Sequence, residues 1–150
     1  MAGQIDRIDQ VGDAFKVIDY KTGLYWEDDW KGTFGGGRKL QHALYGIAAV
    51  QLLRRNIPNP RVDEGIYYFT SVKGRQTVKA IPTQSVSTVR AVLSDLRQVI
   101  AEGTFVHAED ASACKFCDYG PACGEARAHA ESKIENSPLL ESYRRLVSYD

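Results

Sequence analysis

No stretch of this 150-residue chain approaches the roughly 20 consecutive apolar residues that a membrane-spanning helix needs. Charge of one sign is not in excess either: 19 lysines and arginines face 19 aspartates and glutamates. The chain as a whole therefore exerts no pull on a polyanion, and any binding of nucleic acid has to come from local basic patches helped by metal ions. Met1-Ala2-Gly3-Gln4-Ile5-Asp6 puts no basic segment before an apolar core, so it does not read as a secretory signal. No Walker A pattern occurs, which excludes ATP hydrolysis by that route. Internal repeats and low-complexity stretches are missing too. Cysteine is scarce and confined: Cys114, Cys117 and Cys123 are the only three. An odd, clustered set reads as metal ligands more readily than as disulfides, and it points to the cytoplasm.

What is present suits a globular domain. The hydrophobic share is 43% and the charged share 25%, ordinary values for one core. Residues 3–9 alternate well enough for a strand, with Ile5, Arg7 and Asp9 on one face and Gln4, Asp6 and Ile8 on the other. Gly12-Asp13 marks a turn, and Phe15 to Lys21 forms the second arm of a hairpin. Residues 22–38 carry five glycines around Trp26 and Trp30, which predicts a long mobile loop. A helix is expected from Lys39 to about Arg55, with Leu40, Ala43, Leu44, Ile47, Val50 and Leu53 on its apolar side, Ala48 and Ala49 widening it, and Pro58-Asn59-Pro60 ending it. Gly65 to Ser71 and Gln76 to Ile81 predict a second strand pair across the turn Lys73-Gly74-Arg75. A second helix is expected to start at Pro82-Thr83 and stop at Gly103, with Val86, Val89, Leu93, Leu96 and Ile100 on one face. Residues 124–135 and 138–148 look like further helices. The order β-β-α-β-β-α predicts an α/β or α+β domain on a mixed sheet.

Asp19 and Lys21 are two apart on a strand, so both side chains share a face. Asp6, on the preceding strand, can sit beside Asp19 across the hairpin. Two adjacent carboxylates repel unless a cation lies between them, and Mg²⁺ or Mn²⁺ suits such oxygen ligands. A lysine beside that ion can orient or help deprotonate a water, and the ion neutralises charge building on a phosphate. An Asp-x-Lys pair on a strand is more often a solvated face. Here Val17-Ile18 leads into Asp19, so the strand is expected to be central, where an idle charged pair is costly.

Gly3-x-Ile5-Asp6-Arg7-Ile8-Asp9, Val17-Ile18-Asp19-Tyr20-Lys21-Thr22-Gly23 and Gln41-x-x-x-Tyr45 together resemble the RecB/AddB branch of the PD-(D/E)xK nuclease superfamily. The resemblance implies a restriction-endonuclease-like α/β fold: a mixed central sheet flanked by helices. It implies Asp6, Asp19 and the backbone carbonyl of Tyr20 as metal ligands, Lys21 as the catalytic lysine, and Gln41 and Tyr45 as the helix motif beside the active site. Asp9 rivals Asp6 as a ligand but points to the other face of a regular strand, where a pairing with Arg7 or a neighbouring strand is expected.

Cys114-x-x-Cys117, five residues and Cys123 form a specific ligand spacing. Spacing leaves iron–sulfur and zinc open, with His129 or His107 as a fourth zinc ligand. The resemblance favours a 4Fe–4S cluster, since AddB-type nucleases and an iron–sulfur class of CRISPR-associated nucleases carry such a three-cysteine tail with a fourth cysteine far upstream. This chain has no fourth cysteine and lacks the family's upstream acidic or histidine ligand. We therefore expect a piece of a longer protein, truncated at its N-terminus, in which the fragment itself holds no cluster and shows weak or no activity. The expected division is a nuclease core over 1–110 and a cysteine-containing tail over 111–150 packing on it.

Arg38-Lys39, Arg54-Arg55 and Lys73-x-Arg75 are small basic clusters, more often solvated faces than phosphate contacts. Tyr25, Trp26 and Trp30 offer stacking surfaces for bases, but Glu27, Asp28 and Asp29 among them disfavour phosphate. His42 reads as a surface histidine or a DNA contact. The function expected is a Mg²⁺-dependent DNA nuclease, exonucleolytic in mode, within a repair or recombination helicase–nuclease whose motor lies elsewhere. The alternatives are a non-catalytic DNA-binding or scaffold fragment, or an iron–sulfur CRISPR-associated or phage nuclease.

Overall fold

A computed structural model describes residues 3–106, 117–119 and 134–150. Four strands form one sheet in the order β1-β2-β3-β4: β1 Arg7–Val11, β2 Ala14–Lys21, β3 Val62–Phe69 and β4 Val78–Pro82. β1 and β2 are the expected antiparallel hairpin, closed at Gly12 with φ +60°. That conformation is open to glycine without steric cost. β2 then pairs in parallel with β3, and β3 in antiparallel fashion with β4. A parallel pair cannot be joined by a tight turn. The connection is α1, Gln41–Leu53, which packs on both β2 and β3. The sheet is thus mixed, as the α/β reading requires.

The first strand begins later than the sequence suggests. Its ladder starts at Arg7↔Ile18, so Asp6 lies just ahead of β1 rather than within it. Alternation also fails there: Ile5 and Ile8 both pack against Phe15, Val17, Ala49 and Val62.

α1 buries a different stripe from the one its leucines mark. His42, Ala43, Gly46 and Ala49 are its buried residues, whereas Leu40, Leu44 and Ile47 are only half-buried. The helix sits so close to β3 that a Cβ added at Gly65 would stand 2.6 Å from His42 Cβ. Only small side chains fit that gap, so the sheet-facing positions are the small ones.

The segment 22–38 is folded onto the sheet, contrary to the expected mobile loop. A 3₁₀ turn spans Glu27–Trp30. Trp30 lies 4.5 Å from Tyr67 and 5.2 Å from Phe69 between ring centroids, and Tyr25 lies 5.1 Å from Phe69. With Tyr67, Phe69 and Ile81 these rings form a second core cluster. Phe34 is buried, and Gly36 donates its N–H to the Tyr149 carbonyl.

α2, Val86–Glu102, starts four residues after the expected Pro82. Pro82 remains in β4, and Thr83 N–H still bonds Asp63 O at 2.8 Å. Ser85 Oγ accepts the Thr88 N–H at 3.1 Å, which satisfies an orphan donor at the helix start. Gly103, at φ +63°, ends it.

Contacts divide the chain into two compact units, residues 1–91 with 149–150, and residues 92–148. In the second, a 3₁₀ turn at Pro138–Leu140 leads into α3, Glu141–Val147, where Arg145 pairs with buried Asp95 at 2.9 Å. The predicted helix over 124–135 lies almost wholly outside the described residues. Among those described, no helix is long and apolar enough to cross a membrane.

Candidate active site

Along one face of β2 run Phe15, Val17, Asp19 and Lys21. The first two are buried beneath α1. The strand continues in the same alternation, so Asp19 is carried into the core margin and stays 7% exposed. A carboxylate at that depth needs a positive partner. Lys21 supplies one, with Nζ 2.5 Å from Asp19 Oδ2. Asp19 Oδ2 is buried, and among the described residues the Lys21 ammonium is the group that reaches it.

Lys21 is fixed from a second side. Its ammonium donates to Gln41 Oε1 at 2.7 Å, and Gln41 Nε2 donates to Tyr45 OH at 3.1 Å. Gln41 and Tyr45 stand one turn apart at the start of α1, the spacing that lets such side chains meet. The Tyr45 ring packs on the first core cluster and lies against Gly3. A continuous chain thus runs from Asp19 through Lys21 and Gln41 to Tyr45.

Asp6 joins this group from the other strand. One step beyond the pair Arg7↔Ile18 it comes opposite Asp19, and its Oδ2 accepts the Tyr20 N–H at 2.9 Å. Asp9 takes the other course expected of it, pairing with Arg7 at 2.7 Å. Arg7 also donates to Tyr20 OH at 3.3 Å, so the Tyr20 ring points away from Asp19, towards Tyr68.

Two further residues support the site: Tyr67, which was not singled out from sequence, and His42. Tyr67 pairs with Asp19 in the β2–β3 ladder, and Lys21 Nζ lies 5.3 Å over its ring, within cation–π range. Burial, with Asp19 nearby, pushes the Tyr67 phenol up to about 12. His42 is buried at 5% exposure, which corrects the surface reading. Its backbone N–H donates to Tyr67 OH at 3.1 Å, and its Nδ1 lies 3.3 Å from the same oxygen. Nε2 is buried without a partner. Burial first, and Lys39 second, push His42 down to about 4. The signal for Tyr67 was in the alternation Gly65, Tyr67, Phe69, which shares the face of Asp19.

The expected stacking platform is only partly available. Trp30 and Tyr25 are spent on the core cluster, while Trp26 is exposed. Lys39 donates to the Lys31 carbonyl at 2.6 Å and sits 5.7 Å over Trp30. Cys117 is exposed; Cys114, Cys123, His107 and His129 lie outside the described residues.

Asp6, Asp19 and the Tyr20 peptide make a set of hard oxygens of the kind Mg²⁺ accepts. Asp19 Oδ2, buried and already facing the Lys21 ammonium, is an oxygen suited to a cation. Among the described residues, no three His, Cys, Asp or Glu side chains converge as a metal cage. Mg²⁺ is held by one or two carboxylates and several waters rather than by such a cage, so the residues present fit it.

No curated protein and no solved structure matches the chain. A family model described as the PD-(D/E)XK nuclease superfamily matches residues 1–124. That span contains Asp6, the Asp19–Lys21 pair and the Gln41–Tyr45 helix motif, and the chain belongs to the PD-(D/E)XK nuclease superfamily.

Proposed function

We propose that this chain is the divalent-metal-dependent nuclease domain of a DNA repair or recombination machine of the RecB/AddB type, acting on DNA as an exonuclease in the cytoplasm. The observation that carries the reading is the chain Asp19–Lys21–Gln41–Tyr45 beside Asp6. A charged pair at a core margin, braced by two residues of a helix, is more than a strand needs for folding.

Asp6, Asp19 and the Tyr20 carbonyl would hold Mg²⁺ or Mn²⁺. The ion, when bound, would make a water more acidic and neutralise charge on the phosphate. Lys21 has a separate task. Its ammonium, held by Asp19 and Gln41, orients the attacking water and faces the phosphate oxygens as charge develops on them. Gln41 keeps Lys21 from collapsing fully onto Asp19, because its carboxamide takes one of the three ammonium protons. Tyr45 holds that carboxamide in the right flip by accepting from its NH₂.

Within this proposal, residues 1–110 are the nuclease core and 111–150 the cysteine-bearing tail. Cys114, Cys117 and Cys123 serve a 4Fe–4S cluster in the intact protein, and the helicase motor belongs to the rest of a larger polypeptide or to a partner. Anaerobic purification with iron analysis tests the cluster: an iron-free, colourless protein would refute it.

The activity is tested with linear and closed circular DNA in Mg²⁺. Cleavage by the intact protein is expected on the linear substrate. Lys21→Ala should lower the rate by about 100-fold or more with an unchanged circular dichroism spectrum. Undiminished cleavage by that variant sinks the assignment, and equal cutting of closed circles rejects the exonuclease mode.

A further inference from the structure

Charge is balanced over the chain but not along it. Between Glu64 and Asp95 there is no carboxylate, yet Lys73, Arg75, Lys79 and Arg90 all occur. Two of these four, Lys73 and Arg75, sit in the loop joining β3 to β4. Both are exposed, and neither has an ion-pair partner among the described residues. Val72 beside them is 90% exposed.

The loop is held in place by backbone. Thr70 N–H donates to the carbonyl of Lys21 at 3.1 Å, and Ser71 Oγ donates to the Gly23 carbonyl at 3.4 Å. Ser71 Oγ in turn accepts the Gly74 N–H at 3.0 Å. Gly74 is pressed into the junction, where an added Cβ would lie 2.6 Å from Phe69 Cβ and 3.1 Å from the Gly23 carbonyl. The tip therefore rests on the residues that immediately follow Lys21. Arg75 and Gln76 adopt φ of +56° and +50°, a conformation that side chains other than glycine, asparagine and aspartate seldom take. Such strain persists where the surroundings fix it, and it gathers at functional sites.

We propose that the β3–β4 loop is a phosphate clamp. Lys73 and Arg75 grip the DNA backbone beside the phosphate being cut, with Val72 against the sugar edge. This rests on the nuclease reading above and adds to it the element that sets the strand's register. Contacts of this kind position nucleic acid without reading its sequence, so the clamp should be indifferent to base composition.

The test measures binding of the full chain to a short fluorescent DNA duplex, with Ca²⁺ replacing Mg²⁺, across a salt series. Removing one phosphate-bound cation flattens the plot of log affinity against log salt by about 0.9. K73A/R75A should flatten it by about 2 and weaken binding roughly 10- to 100-fold near 0.1 M salt. In Mg²⁺ the same variant should raise KM and leave kcat at saturating DNA unchanged. K73R/R75K should restore the slope. R54A/R55A, which removes two exposed cations past the end of α1, should leave it alone. Wild-type slope and KM in K73A/R75A overturn the clamp while sparing the nuclease. An equal weakening in R54A/R55A also overturns it, since a general positive field would then suffice. An intact wild-type protein that neither binds nor cuts DNA overturns the nuclease reading itself.

Discussion

His42 shows how much one buried side chain can carry. It sits at the second position of α1, bonds Tyr67 OH through both backbone and ring, and so ties the helix to the strand residue that faces Asp19. The ring is neutral in the folded chain because burial pushes its pKa down to about 4 from the ordinary 6.5. The unfolded chain takes up a proton near 6.5, whereas the folded chain does not until about 4. His42 therefore contributes stability that is complete above about pH 6.5 and is lost as pH falls towards 4, by at most about 3 kcal/mol. Urea unfolding at pH 7.5 and pH 4.5 checks this against His42→Gln. The variant lacks the titration, so the stability gap between it and the wild type should narrow at the lower pH. Parallel lines for the two proteins would show that other groups account for the acid loss.

At the scale of elements, the decisive feature is the docking of α1 on β3 through small residues. Gly65→Ala places a methyl 2.6 Å from His42 Cβ and 3.1 Å from its Cα. Neither atom is the flexible end of a side chain, so helix and strand must separate. We expect a loss of about 1–3 kcal/mol. Gly46 is the contrast. Its added Cβ would meet Val62 at 3.8 Å and Thr83 at 3.9 Å, ordinary contact distances, and alanine is the better helix former. Gly46→Ala should be neutral or stabilise by up to about 1 kcal/mol. Thermal or urea unfolding that ranks the two substitutions the other way round would refute this docking. The same close approach explains what sequence could not reveal. Hydrophobic periodicity placed Ala43 and Ala49 on the inner face together with Leu40, Leu44 and Ile47, but a helix this near a sheet buries the alanines with His42 and Gly46 and leaves the large residues half-buried. Trp30 was hidden for a related reason. A glycine-rich segment looks mobile until the strand face that will receive its aromatic rings is known. The hairpin, the Asp19–Lys21 pair and the Gln41–Tyr45 spacing were legible because each depends on short-range geometry alone. The inward face of Tyr67 was legible from its strand's alternation, but its place beside Asp19 was not, since that arises from a parallel pairing across more than forty intervening residues.

For the whole molecule, net charge is +0, so affinity for a polyanion has to be assembled locally. Asp6, Asp19, Tyr20, Lys21, Gln41 and Tyr45 all fall in the unit formed by residues 1–91 with 149–150. That unit should therefore respond as one body when the site is filled. Asp6 and Asp19 bring two carboxylates together, and Lys21 answers only one of them directly. A divalent ion that binds the folded chain and not the unfolded one raises stability by RT ln(1 + [ion]/Kd), about 2.7 kcal/mol at 100 times Kd. Wild-type protein should accordingly melt at a higher temperature in Mg²⁺ or Mn²⁺ than in chelator, with no DNA present. Asp19→Asn removes the charge while keeping the shape, and it should lose most of that gain. Ionic strength is matched with sodium chloride, so that general screening cancels. A rise of equal size in Asp19→Asn would place the ion elsewhere on the molecule, and a flat response in the wild type would leave Asp6 and Asp19 without the cation that their pairing calls for.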